Sequence, residues 1–305
     1  MGEPARAAAA SPRTPAGRLF ERPEIVRERH ESVPAGDMQR KLAWPERLAN
    51  QGAVRKLTIL VALAVVWQLY AAWADNALMF PTFSAMIEAW VDALVRGALL
   101  QRALVSLRVL LMGYAAGIAA AAVLTFAAST TRLGSDLLET LTAMFNPLPA
   151  IALLPLALLW FGLGSGSIVF VLVHAVLWPV ALNTYAGILA VSPTLRMVGR
   201  NYGLSGLGYA GKILIPAAFG SILTGLKIGW AFAWRTLIAA ELVFGVASGT
   251  GGLGWFIYEN KNALEIPAVF AGLFSVIVIG IAVENLIFRW IEQRTLRRWG
   301  MHTSG

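Results

Sequence analysis

The sequence predicts an all-α membrane protein with six transmembrane helices. Three observations carry this. Hydrophobic residues make up 57% of the chain and charged residues only 14%, against roughly 25% charged in an average soluble domain. So few charges cannot coat a water-soluble globule of 305 residues, and lipid must serve as part of the solvent. Six segments are apolar over about the 20 residues that cross a hydrocarbon core. Finally, the basic residues gather on alternate connections between those segments, as membrane orientation requires.

Residues 1–55 are rich in Ala, Pro, Arg and Glu without a sustained apolar period; they read as a basic, mostly disordered tail. Residues 56–300 form the membrane domain. The first span is expected at 57–73. Residues 81–97 are apolar but interrupted by Glu88 and Asp92, which suits an external amphipathic helix better than a span. The second span is expected at 104–128 and the third at 137–160. The third contains Asn146-Pro147-Leu148-Pro149 and Pro155, so it should be kinked or broken, with neighbouring helices or water satisfying the freed carbonyls. The fourth is expected at 167–190, the fifth at 215–246 and the sixth at 267–290. The fifth is too long for a simple crossing, so part of it should project from the membrane. Trp73, Trp178, Trp255, Trp290 and Trp299 fall near predicted interfaces and suit an aromatic belt.

An even number of spans puts both termini on one side. The segment before the first span with Lys56, the connections after the second and fourth spans, and the C-terminal segment from Arg289 hold 19 of the 25 Lys and Arg residues. The short connection with Arg196, Arg200 and Lys212 is the most telling, and it assigns the termini to the cytoplasm of a cell inner (plasma) membrane. The net charge of +8 therefore points to anionic lipid rather than nucleic acid. The absence of cysteine excludes disulfides, thiolate metal sites and thiol nucleophiles. His30, His174 and His302 lie far apart, so no metal centre is expected.

The connection 193–216, PTLRMVGRNYGLSGLGYAGKILIP, is short, basic and broken at Gly203, Gly206 and Gly208. It reads as two short helices around a glycine turn, built to dock into a soluble partner. Here the chain resembles the permeases of ABC importers, whose cytoplasmic loop is patterned E-A-A, three residues, G, nine residues, I, one residue, L-P. Gly203, Ile213 and Pro216 fall at that spacing. Ile215 replaces the Leu, and Met197-Val198-Gly199 replaces E-A-A, so the glutamate is missing. Arg200, Tyr202 and Tyr209 remain as anchors, with Arg196 at the start of the loop. Pro147-Leu148-Pro149-Ala150-Ile151-Ala152, Trp160-Phe161-Gly162-Leu163-Gly164, Gly225-Leu226-Lys227, Ala233-Trp234-Arg235, Glu241-Leu242 and Gly252-Leu253-Gly254 follow in order. These segments are similar to the nitrate, sulfonate, taurine and bicarbonate type of permease. The resemblance implies a type I importer fold with a cytoplasmic coupling helix and a pair of identical permease chains. It also implies two ATPase subunits and an external solute-binding protein. The chain carries no G-x-x-x-x-G-K-[ST] sequence, so ATP and magnesium are expected in the ATPase, and no cofactor in this chain.

Ionisable and polar residues at membrane depth are the candidates for the solute path. They are Arg235 and Glu241 in the fifth span, His174 in the fourth, and Asn146 at the expected kink, with Trp160 as a possible gate. Arg235 either attracts an anionic solute or pairs structurally with Glu241 of a neighbour. His174 and Asn146 either contact solute or bond between helices. Glu284 is expected to pair with a base such as Arg289 or to cap a crevice. Gly249 to Gly254 is expected to be a tight turn. The alternative function is an ion-coupled secondary transporter, which typically shows repeats with broken helices in both halves. Only one span here is strongly broken, and intramembrane carboxylates are few.

Overall fold

A computed structural model of the chain describes residues 52–244 and 251–295. The basic tail of residues 1–51, Trp299 and the first part of the Gly249–Gly254 turn lie outside the described residues. Contacts divide the chain at Ile59/Leu60. In the first unit the described part is the opening of helix α1 (Gly52–Ala74), where the Thr58 hydroxyl donates back to the Val54 carbonyl at 3.0 Å.

In the second unit all described regular structure is helical: α2 (Phe83–Val95), α3 (Leu99–Thr130), α4 (Arg132–Phe145), α5 (Leu154–Phe161), α6 (Ser165–Leu189), α7 (Pro193–Asn201), α8 (Gly206–Tyr209), α9 (Ile215–Phe244), α10 (Leu253–Asn262), α11 (Ile266–Ala282) and α12 (Arg289–Thr295). A tight 3₁₀ turn, Ala150–Leu153, precedes α5, and wider π turns join α8 to α9 and α11 to α12. Five helical stretches are long and apolar enough to cross a membrane: Gly52–Ala74, Leu99–Thr130, Ser165–Leu189, Gly206–Val243 and Ile266–Thr295.

The expected third span differs. It is not one kinked helix over 137–160 but two helices, Arg132–Phe145 and Ala150–Phe161, turned 88° from each other. Pro147 and Pro149 have no N–H to give an i−4 carbonyl, and each disfavours helix in the residue before it. The helix therefore ends at Phe145, and Pro149 turns to extended geometry (φ −59°, ψ 121°). The over-long fifth span is also explained: α8, the π turn and α9 run as one helical stretch, so its first part belongs to the preceding connection.

Helix α6 is the centre of the bundle, packed by α3 on one side and α9 on the other. Both contacts use glycines four residues apart, as close helix approach requires where lipid removes the usual hydrophobic drive. A Cβ on Gly117 of α3 would lie 2.6 Å from Val176 Cβ. One on Gly225 of α9 would lie 2.9 Å from the Pro179 carbonyl oxygen and 3.2 Å from Val180 Cα, both backbone. Backbone cannot rotate out of the way. Gly225→Leu is therefore expected to separate α9 from α6 and, at an overpacking cost of ~1–3 kcal/mol or more, to lower the yield of monodisperse protein on gel filtration. Gly208→Ala, where nothing lies within 4 Å of the added carbon, is expected to leave it unchanged.

Two further expectations are corrected. Trp178 is not in an interfacial belt: it is buried on α6, 6% exposed, and stacks on Phe145 at 5.8 Å. Glu284 is exposed and pairs with no described residue. The ion pair at that end joins Lys227 of α9 to Glu292 of α12 at 2.8 Å.

Candidate functional site: a mid-membrane cavity and a two-helix connection

The 88° break after α4 leaves a cavity of about 410 Å³ between the 146–151 segment, α6 and α9. It gathers three of the expected path residues, Asn146, His174 and Arg235, which are widely separated in sequence. Arg235 stands nine residues before the end of α9, roughly 14 Å at 1.5 Å rise per residue and so near mid-depth of a ~30 Å hydrocarbon core. Its Nε donates to the Ala231 carbonyl at 3.1 Å, and its guanidinium carbon lies 5.3 Å from the centre of the Phe232 ring. No carboxylate among the described residues pairs with it, and its side chain is exposed. A guanidinium cannot stay exposed to hydrocarbon at this depth without large cost, so this face must meet water, solute or another polar surface.

His174 lines the cavity from α6. Both imidazole nitrogens are buried without a hydrogen-bond partner among the described residues, and so is Trp178 Nε1. The imidazole sits edge-on to Phe145 and Trp178, at centroid distances of 6.4 and 5.9 Å. Sequence reasoning missed Trp178, Phe232 and Thr236 as lining residues. The signal available for the last two was their place on the α9 face that carries Arg235.

Glu241 and Trp160 lie outside the cavity. The Glu241 carboxylate is fully buried and accepts from the Ser106 hydroxyl (2.8–2.9 Å) and the Gly254 N–H (2.9 Å). Ser106 Oγ in turn accepts from the Leu253 N–H at 2.8 Å. Two of the orphan N–H groups that open α10 are thus capped by side chains of α3 and α9. Glu241 fastens a connection and is not available to Arg235. Trp160 is 58% exposed and packs edge-on to Phe170 at 5.8 Å.

The 193–216 connection has the expected two helices. Ser192 caps α7 by accepting from the Leu195 N–H. At its end Gly203 takes φ +72°, the Gly203 N–H donates to Arg200 O (2.9 Å) and the Leu204 N–H to Gly199 O (3.1 Å). This is the Schellman ending, in which a left-handed residue lets the chain close on the last carbonyls. Helix α8 then folds back. Tyr209 and Ile213 are half-buried on the first helix: a Cβ at Gly199 would lie 2.8 Å from the Tyr209 ring and 3.0 Å from Ile213 Cγ1. Tyr209 is therefore an internal clamp and not a free anchor. Arg196 is also turned inward, donating to the Ile188 carbonyl in the last turn of α6 and the Val191 carbonyl just past it, where a cation offsets the helix dipole. Pro216 follows the π turn, whose wider winding suits a residue without an N–H. Among the residues left outward are Arg200, Met197, Tyr202 and Leu207, the last two 81% and 76% exposed.

The sequence matches known proteins over most of its length. Residues 113–297 match the family described as the binding-protein-dependent transport system inner membrane component. The chain is 28% identical over 261 residues to a putative ABC transporter permease protein of Methanocaldococcus jannaschii, covering 84% of this chain and 96% of that protein. It is 28% identical to the taurine transport system permease protein of Escherichia coli, covering 84% and 93%. It is 27% identical to the nitrate import permease protein of Synechocystis, covering 77% and 86%. With the cavity, the broken third segment and the two-helix connection all inside the matched region, the chain belongs to the binding-protein-dependent transport system inner membrane components, the multi-pass permease subunits of ABC importers.

Proposed function

We propose that this chain forms the translocation path for a small anionic solute delivered by an external binding protein. In this reading the connection 193–216 docks on an ATPase, which binds ATP and magnesium, and two permease chains and two ATPases make up the transporter. Both termini then lie in the cytoplasm, the side on which the basic connection must meet the ATPase. The relatives named for taurine, aliphatic sulfonates and nitrate all handle anionic groups, which agrees with a single mid-membrane cation. The docking role is supported by a rigid turn that presents Met197, Tyr202 and Leu207 outward beside Arg200. Exposed apolar and aromatic residues with an arginine at their side are typical interface anchors.

The observation that carries the path is Arg235, exposed in the cavity at mid-depth with no described carboxylate beside it. Its guanidinium can hold an oxyanion by charge-assisted hydrogen bonds. Losing such a bond costs about 1.5–3 kcal/mol, roughly tenfold or more in affinity. In the complex with its binding protein and ATPase in nanodiscs, Arg235→Ala should therefore keep basal ATP hydrolysis. It should lose most of the stimulation given by taurine, methanesulfonate or nitrate, whichever the parent responds to. Unchanged stimulation at every solute concentration would remove Arg235 from the path.

A further inference from the structure

The cavity also restricts what kind of anion it takes, an inference that rests on the cavity being the solute path. Its lining carries one cation, Arg235, and no carboxylate. The acid of α9, Glu241, is fully buried and bonded to Ser106 and Gly254, away from the cavity. Nothing in the lining can therefore neutralise an ammonium group, and a cation desolvated beside an arginine meets both a burial cost and repulsion. Among the lining residues the Arg235 guanidinium and the Asn146 side chain are exposed and Thr236 is half-buried, whereas the His174 nitrogens and Trp178 Nε1 are buried within the wall. The guanidinium alone offers several N–H donors to one acceptor-rich head group. Most of the remaining wall is apolar, with Pro147, Leu148, Ile151 and Phe232 prominent. A cavity of about 410 Å³ is far larger than an inorganic oxyanion, and an ion that small would leave these walls without contact. Pockets of this construction hold a ligand by its apolar body and orient it by a few polar groups.

We infer that the cavity takes an organic oxyanion with an apolar, preferably aromatic, body and no cationic group. The head accepts from the Arg235 guanidinium. The body lies against Phe232 and the proline-rich break.

Calorimetric titration of the full chain in lipid nanodiscs, with empty nanodiscs subtracted, tests this using benzenesulfonate, methanesulfonate, taurine and nitrate. Benzenesulfonate should bind at least tenfold more tightly than taurine and nitrate. Phe232→Ala should weaken benzenesulfonate about fivefold while leaving methanesulfonate within a factor of two. Arg235→Ala should weaken both sulfonates tenfold or more. Arg235→Gln, closer in size, serves the same purpose if the alanine variant elutes as aggregate. Taurine or nitrate binding as tightly as benzenesulfonate, still dependent on Arg235, would overturn the inference and leave the anion path standing. Failure of all four to bind, or sulfonate binding indifferent to both Arg235 variants, would overturn the inference and the path together.

Discussion

Gly252→Val is expected to abolish accumulation of folded protein in the membrane. Any Cβ at that position overlaps Glu241 Oε1 and Ser106 Oγ, so the added side chain pushes apart the group that ties α3, α9 and α10 together. The neighbouring Gly254 is as confined, since its Cβ would lie 2.5 Å from Glu241 Cβ and 2.8 Å from the Ile238 carbonyl. Removing the acid instead tests the bonds without the clash. Glu241→Ala leaves the Gly254 N–H and the Ser106 hydroxyl buried without their acceptor. At roughly 1–3 kcal/mol per orphaned group, it should lower stability by several kcal/mol, enough to drop the midpoint of thermal unfolding in detergent by many degrees. Ser106→Ala removes the smaller share and should fall between parent and Glu241→Ala. A Gly252→Val protein that accumulates and melts like the parent would contradict this account of the connection.

The second large effect is expected at Gly203. Its φ of +72° is a left-handed conformation that costs an ordinary L-residue ~1–2 kcal/mol and a β-branched one more. Nothing lies within 4 Å of a carbon added there, so substitution meets conformational strain and not a clash. Gly203→Val should lose the Schellman ending, displace the exposed Tyr202 and Leu207, and abolish co-purification with the proposed ATPase partner. Gly203→Asn, which tolerates left-handed geometry, should retain it. The two variants should accumulate equally, because the turn is solvent-exposed. Equal ATPase recovery with valine and asparagine would exclude the turn as the determinant of docking.

Features encoded by neighbouring residues were legible in the sequence. The apolar runs, the proline break after Phe145 and the glycine ending of α7 all follow from local backbone chemistry. Arg235 was legible too, because an isolated cation in an apolar run has few inexpensive explanations. Features created by distant partners were not. Glu241 looked like a path residue because its acceptors' partners, Ser106 and Gly254, come from α3 and from the head of α10. Trp178 looked interfacial by its position, yet the 88° turn places Phe145 against its ring and the cavity beside it. Tyr209 looked like an anchor because nothing in the sequence says that Gly199 leaves it a seat. That contact also gives the replacement of E-A-A a partial reason: its third position must stay small.

In the proposed transporter, solute moves only when an ATPase is docked on the 193–216 connection. Reconstituted in proteoliposomes with the proposed partner ATPase inside and the solute-binding protein outside, the chain should accumulate labelled solute when ATP is enclosed. It should do so no faster than empty vesicles when the ATPase is omitted or replaced by an inactive form. Accumulation that persists without the ATPase, driven by a proton or sodium gradient alone, would contradict the claim.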